Sequence, residues 1–267
     1  MLIQDRESML HIGEAEVRAI CDRHAGVGAD GLLRAVKAKH IEGWDGDGEL
    51  WFMDYRNADG SIAEMCGNGL RVFARYLVDE GLATGPTLSI ATRIGVLEAT
   101  PYRDGRVRVS MGPVSVAADP VTVTSSSGGT YTATHVEVGN PHAVSFEDDL
   151  EGLSLLVSPT WSPVEVFPKG VNLEFVRGVS DRHIAMRVFE RGVGETRSCG
   201  TGTVAAAAAA ALQDGHDFRR MEPAEAVTYR VDVLGGCVEV ELHADGAFLT
   251  GPAVIVAHGE LSLPEEL

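Results

Sequence analysis

The sequence predicts an α+β chain made of two similar halves, and three observations carry that expectation. Short apolar and β-branched runs punctuated by glycine recur along the 267 residues. One central helical segment interrupts them in each half. Both helices open on nearly the same phrase: Met65-Cys66-Gly67-Asn68-Gly69 before Leu70, and Ser198-Cys199-Gly200-Thr201-Gly202 before Thr203. The two cysteines lie almost half a chain length apart, which points to a duplicated domain with one thiol from each copy.

The elements follow in order. Gly13 to His24 has helical spacing through Val17, Ile20 and Cys21 and runs into the glycine-rich turn from Gly26 to Gly31. Glu49 to Tyr55 reads as a strand, Asn57-Ala58-Asp59-Gly60 as a turn, and a second short strand is expected after it. The first cysteine helix carries Leu70, Phe73, Ala74 and Leu77 on one face and stops at Gly81. Thr87 to Thr92, Gly95 to Thr100 and Val107 to Met111 suggest antiparallel strands. Gly112-Pro113 and Ser125 to Gly129 mark the change of domain, giving halves 1–115 and 116–267, with the last strand able to return to the first half. Strands then recur at Thr132 to Val138, Val171 to Val176 and His183 to Glu190. The second cysteine helix follows, with an unbroken alanine run from Ala205 to Ala211, the strongest helix former available. Val227 to Leu234, Cys237 to Leu242 and Ala247 to Leu249 close the pattern. Strands with one central helix per half make an α+β reading, not a βαβ dinucleotide fold. Gly26-Val27-Gly28 is too isolated for a dinucleotide fingerprint.

Each repeated cysteine stands at a helix N-terminus. Unpaired N–H groups and the helix dipole favour an anion there. That setting lowers a thiol pKa from about 8.5 toward neutrality, and the same N–H groups can hold a carboxylate. Two thiols facing across a cleft can move a proton from one face of a carbon to the other, one as thiolate base and one as thiol acid. Backbone N–H groups at Gly67, Asn68, Gly200 and Thr201 are placed to take the charge of a developing carbanion through its carboxylate. No pyridoxal-binding lysine signature is evident, so no cofactor is expected. Cys21, on a helix face, and Cys237, in a strand, read as buried and inert.

Composition bounds the alternatives. A 45% hydrophobic chain of this length supports two modest cores. A formal charge of −17 argues against nucleic acid or an anionic membrane as partner. The N-terminal residues lack the apolar segment of a signal peptide, and the alanine run is too weakly hydrophobic to span a bilayer. Four cysteines do not make a disulfide framework, and a cytoplasmic protein is expected.

Together with Gly139-Asn140-Pro141-His142, Gly170-Val171-Asn172-Leu173-Glu174-Phe175 and Glu190-Arg191-Gly192-Val193-Gly194-Glu195-Thr196, the cysteine phrases resemble the diaminopimelate epimerases, over most of the chain from about Cys21 to Pro252. The resemblance implies two pseudo-symmetric domains, each a mostly antiparallel sheet wrapped around a central helix, with the active site in the cleft between them. It implies cofactor-independent interconversion of LL- and meso-diaminopimelate in lysine and cell-wall precursor biosynthesis. Cys66 and Cys199 are then the catalytic pair. Asn57, Gly67, Asn68, Asn140, Asn172, Glu190, Arg191, Gly200 and Thr201 become substrate contacts, Arg191 toward the distal carboxylate. His142 and Glu190 give electrostatic support. A homodimer is compatible with this.

Simpler roles stand beside each assignment. Asn57 and Asp59 suit a turn, Asn140 a loop, His142 an ordinary surface or core position, and Glu190-Arg191 an exposed strand end. Asn172 is harder to dismiss, because an amide on an apolar strand needs partners. One departure concerns the beginning: the family's usual first strand, with its substrate-contacting asparagine, has no counterpart here, and Gly31 stands where some members carry a glutamine. On that reading the natural start is expected upstream and the 267-residue form weakly active or inactive. Proline racemase-like and hydroxyproline epimerase-like enzymes share the two-cysteine plan but typically carry histidine at the place of Asn68. Phenazine-biosynthesis-like isomerases share the fold without the cysteine pair, and an inactive binding protein is the remaining alternative.

Overall fold

A computed structural model describes every residue except Glu64, Ser126, Ser127, Pro223 and 263–267. The chain forms two compact units. One comprises Met1–Val109 together with the chain from Pro252 onward, the other Ser110–Gly251.

In the first unit, β1 (Leu2–Gln4), α1 (Glu14–Cys21), β2 (Gly31–Lys37), β3 (Trp51–Asn57), α2 (Gly67–Asp79), β4 (Leu88–Thr92), β5 (Gly95–Pro101) and most of β6 (Arg106–Gly112) follow one another. The strands lie in chain order, β1 through β6. Two of the pairings are parallel, β1 with β2 and β3 with β4. Parallel neighbours need a long crossover, and α2 supplies the one between β3 and β4. It packs against β2, β3 and β5, burying Leu70, Phe73, Ala74 and Leu77. Each large apolar side chain so buried is worth about 1.5–3 kcal/mol. The strand expected after Gly60 is reduced to a single bridge between Arg56 and Ile62. Two strands the glycine-punctuated reading left unassigned are present: β1, and β2, which is buried along most of its length. Beside β2 lies a charged cluster whose aspartates are buried and whose arginines are partly exposed. Arg34 donates to Asp54 at 2.9 Å and to Asp5 at 3.1 Å, and Arg93 donates to the other oxygen of Asp54.

The second unit holds β7 (Ser115–Thr124), β8 (Thr130–Glu137), β9 (Pro141–Phe146), β10 (Thr160–Ser162), β11 (Asn172–Ser180), β12 (His183–Glu190), β13 (Gly194–Thr196), α3 (Gly200–Gln213), β14 (Val227–Val233), β15 (Gly236–His243) and nearly all of β16 (Gly246–Pro252). The strand order is β16-β15-β14-β12-β11-β9-β8-β7-β10, with β13 on β12. The pairings are antiparallel except β9 with β11 and β12 with β14. Again the central helix makes the crossover of a parallel pair, β12 to β14. In β7, Pro120 lies at a register irregularity, where a residue with no N–H does least harm. Helix α3 packs against β8, β9, β11, β12, β14 and β15. A helix buried all round must be apolar all round, and Ala205 through Ala211 meet that requirement. Their small side chains let the sheet approach on every side. The architecture is the expected α+β one, two similar halves with a central helix in each.

Candidate active site

Local backbone explains where the cysteines sit. Cys66 is the N-cap of α2, in extended conformation, and its Sγ accepts the Gly69 N–H at 3.3 Å. Cys199 is the N-cap of α3 in the same conformation, its Sγ accepting the Gly202 N–H at 3.4 Å. The first intrahelical bonds run from Leu70 to the Cys66 carbonyl and from Thr203 to the Cys199 carbonyl. The N–H groups of Gly67, Asn68, Gly200 and Thr201 therefore precede the helical ladder, where no helical carbonyl serves them. At an N-cap the helix dipole favours negative charge on the sulfur, an effect that the rest of the surroundings can outweigh.

The surroundings of the two sulfurs differ. Cys66 is half-buried. Five residues on, Arg71 is buried, donates to Asn68 Oδ1 at 2.9 Å and attracts a Cys66 thiolate electrostatically. Burial lowers the affinity of that guanidinium for its proton, and Cys66 works in the opposite direction. Cys199 is buried at 6% exposure. Burial first, then the charges of Glu190 and Glu174, push its thiol well above the usual thiol range; Thr201 and the Gly202 N–H pull more weakly the other way.

The remaining candidates of the second unit form a connected set. His142, fully buried on β9, contacts Glu174 Oε1 through Nδ1 at 2.7 Å and Asn140 Oδ1 through Nε2 at 3.0 Å. Asn140 thereby turns its NH₂ away from His142. Asn172 stands opposite His142 in the register of β9 and β11. Its Oδ1 accepts the Arg191 backbone N–H at 2.9 Å and its Nδ2 donates to the Pro141 carbonyl at 3.4 Å. Two of this amide's hydrogen bonds thus tie the Asn140–His142 loop to the Glu190–Arg191 turn. The Glu190 carboxylate accepts the Thr196 hydroxyl across the β12–β13 pair. Arg191 is exposed, its guanidinium held over the carbonyls of Lys169 and Gly170. Its stem leaves no room for a side chain at Gly170, where φ is +88° and a Cβ would lie 2.8 Å from Arg191 Cδ. A surface pocket of about 320 Å³ opens beside it, lined by Trp161, Gly170, Phe189 and Gly194 among others.

In the first unit, Asn57 ends β3 opposite Gly31. Its Nδ2 donates to Ser61 Oγ, and Asp59 accepts from both the backbone and the hydroxyl of Ser61. The turn role of Asp59 is therefore realised, and part of Asn57 serves the same turn. Gly31 leaves no space for a larger residue: a Cβ there would sit 2.5 Å from the Arg56 carbonyl oxygen. Cys21 is buried in the cluster of Val17, Ile20 and Leu32. Cys237 departs from the expectation of burial. It is half-buried near the β14–β15 turn, and burial followed by Asp232 raises its thiol.

Three residues of the set escaped motif reasoning: Arg71, Thr196 and Glu174. The signal for Glu174 was available, a lone carboxylate in the apolar run Val171 to Val176.

A family model described as diaminopimelate epimerase matches residues 1–117 and 134–256. A diaminopimelate epimerase of Streptomyces coelicolor is 48% identical over 268 residues, spanning 97% of this chain and 90% of its own. Among solved structures, a PhzF-family phenazine biosynthesis protein of Bacillus anthracis superposes with a TM-score of 0.66 at 16% identity, covering 94% of this chain and 90% of that one. A hydroxyproline epimerase of Agrobacterium vitis superposes at 0.62 and 18% identity, covering 89% and 77%. At those identities the two structures speak for the fold alone.

Proposed function

The chain belongs to the diaminopimelate epimerase family, and from that premise we propose that its interconversion of LL- and meso-diaminopimelate, a step of lysine biosynthesis, runs on Cys66 and Cys199 as a two-base pair. The observation that carries the mechanism is the duplicated cap: each half sets one sulfur at the mouth of its buried central helix. In one direction a thiolate takes the α-proton, becoming a thiol. The electron pair left on carbon flows into the α-carboxylate, held by first-turn N–H groups of Gly67, Asn68, Gly200 and Thr201. The opposite thiol then gives its proton to the other face and is left as thiolate. The reverse reaction exchanges the roles, and no cofactor is consumed.

The supporting residues take the roles that the family resemblance implies, and their geometry is compatible with them. Asn140, its carbonyl end taken by His142, offers its NH₂ to the substrate. Glu190, anchored by Thr196, faces the reacting ammonium. Arg191 holds the distal carboxylate, a task suited to a planar fork. Asn57 and Asn172 contribute their remaining N–H groups.

The test replaces each cysteine separately. Cys66→Ala and Cys199→Ala should each abolish epimerisation, and the unaltered enzyme should carry solvent deuterium into the α-carbon during turnover. A single variant that still epimerises at a near-normal rate would exclude the two-base assignment.

A further inference from the structure

The two halves place different residues beneath equivalent sulfurs. In each half the third residue after the cysteine is a helical glycine whose missing Cβ points at the strand below. At Gly69 a Cβ would lie 3.5 Å from Cys66 Sγ and 3.2 Å from Leu33 Cδ2. At Gly202 it would lie 3.3 Å from Cys199 Sγ and 2.5 Å from Glu174 Oε1. Leu33 and Glu174 are each the third residue of their strand, β2 and β11. Those strands pair in turn with β3 and β12, which lead into the two cysteine helices. One internal position thus carries an isobutyl group under Gly69 in one half and a fully buried carboxylate under Gly202 in the other.

We infer that Glu174 is a positioning residue for epimerisation: its carboxylate, lodged under Gly202 beside the sulfur, keeps Cys199 as the protonated member of the pair in the resting enzyme and leaves Cys66 as the resting base. This rests on the two-cysteine reading above. Among the described residues the charged groups facing Cys199 are Glu190 on β12 and Glu174 on β11, offset by the hydrogen bonds from Thr201 and the Gly202 N–H, and His142 on β9 is engaged with Glu174 Oε1 at 2.7 Å. An anion so close to a sulfur opposes a second negative charge there. The Glu174 carboxyl is itself raised by burial, while His142 pulls it back toward ionisation by charge and hydrogen bond. Its other oxygen, Oε2, has no hydrogen-bond partner, and the charge of Glu190 adds to burial in opposing its ionisation. On the other side the Arg71 cation favours a thiolate at Cys66.

The experiment is the pH dependence of iodoacetamide alkylation on the full chain, with Cys66 and Cys199 followed separately by peptide mass spectrometry. In the unaltered protein Cys66 should reach half-maximal reactivity at a lower pH than Cys199. In Glu174→Gln the Cys199 profile should move down by about one pH unit or more, roughly a tenfold gain in thiolate below the midpoint, with the Cys66 profile unmoved. Glu174→Leu, which copies the arrangement under Cys66, should do the same, and circular dichroism establishes that each variant is folded. A purely structural role for Glu174 would move neither profile. Cys199 ionising below Cys66 in the unaltered protein overturns the inference, and so does a folded variant whose Cys199 profile stays in place. Failure of the two-cysteine reading would show separately, as turnover surviving in Cys66→Ala or Cys199→Ala, because alkylation needs no turnover.

Discussion

Adding one methyl group at Gly202 tests how tightly the Cys199 corner is built, and Gly69 provides the internal control. Both glycines lie in the first turn of a helix at negative φ, so alanine is conformationally permitted and gains up to about 1 kcal/mol of helix propensity. Their surroundings decide the outcome. At Gly69 the new Cβ meets Leu33 Cδ2 at 3.2 Å, a relief of a few tenths of an ångström that a leucine end can give. At Gly202 it meets Glu174 Oε1 at 2.5 Å, so the carboxylate must retreat by roughly 1 Å, within a fully buried pair with His142. Overpacking of that kind costs about 1–3 kcal/mol. A displacement near 1 Å costs on the order of a hundredfold in rate. Gly69→Ala should therefore be neutral to slightly stabilising and lose less than about tenfold in kcat/KM. Gly202→Ala should unfold lower than Gly69→Ala, by about 2–4 °C for each kcal/mol lost, and lose about a hundredfold in kcat/KM. Thermal unfolding and a coupled epimerase assay measure both. Equal stability and equal activity in the two variants would refute the tight packing of Glu174 against α3.

Four further outcomes follow from packing and charge. Asp54→Ala leaves Arg93 and one edge of Arg34 unpaired in a buried site and should cost about 3–5 kcal/mol in denaturant unfolding; a loss under 1 kcal/mol would mean the site hydrates freely. Burial raises the Asp54 carboxyl, but Arg93 and Arg34 outweigh it and hold it below the ordinary 3.8. Its stabilising contribution is thus fully present above pH 3.8 and lost as pH falls through the depressed value, which unfolding of Asp54→Asn against the parent across the acid range should reveal as a gap that closes on acidification. Gly170→Ala, at positive φ and against the Arg191 stem, should raise KM for diaminopimelate more than it lowers kcat, and an unchanged KM would remove Arg191 from substrate binding. Tyr229→Phe deletes the hydroxyl that donates to Asp214 at the end of α3 and should cost about 1.5–3 kcal/mol of stability in the same denaturant assay.

The local parts of this protein were legible in its residues. Amphipathic spacing placed α2 on Leu70, Phe73 and Leu77, and the alanine run marked α3, because a helix reports its buried face every three to four positions. The doubled cysteine-glycine phrase located both caps, since cap chemistry is written within a few consecutive residues. Several strands stood out by their glycine borders, whereas β2 and β9, short and nearly continuous in burial, have no alternation to announce them. The non-local parts were decided by tertiary structure. That β3 runs parallel to β4, and β12 to β14, depends on crossovers through the helices, which strand composition does not record. Asn172 could be recognised as an amide in need of partners, but only folding brings it to the Pro141 carbonyl and the Arg191 N–H. Glu174 shows the division most plainly. Its residue type marks an anomaly in an apolar strand, and a carboxylate is tolerable there because His142, 32 positions earlier, is carried to 2.7 Å by the pairing of β9 with β11.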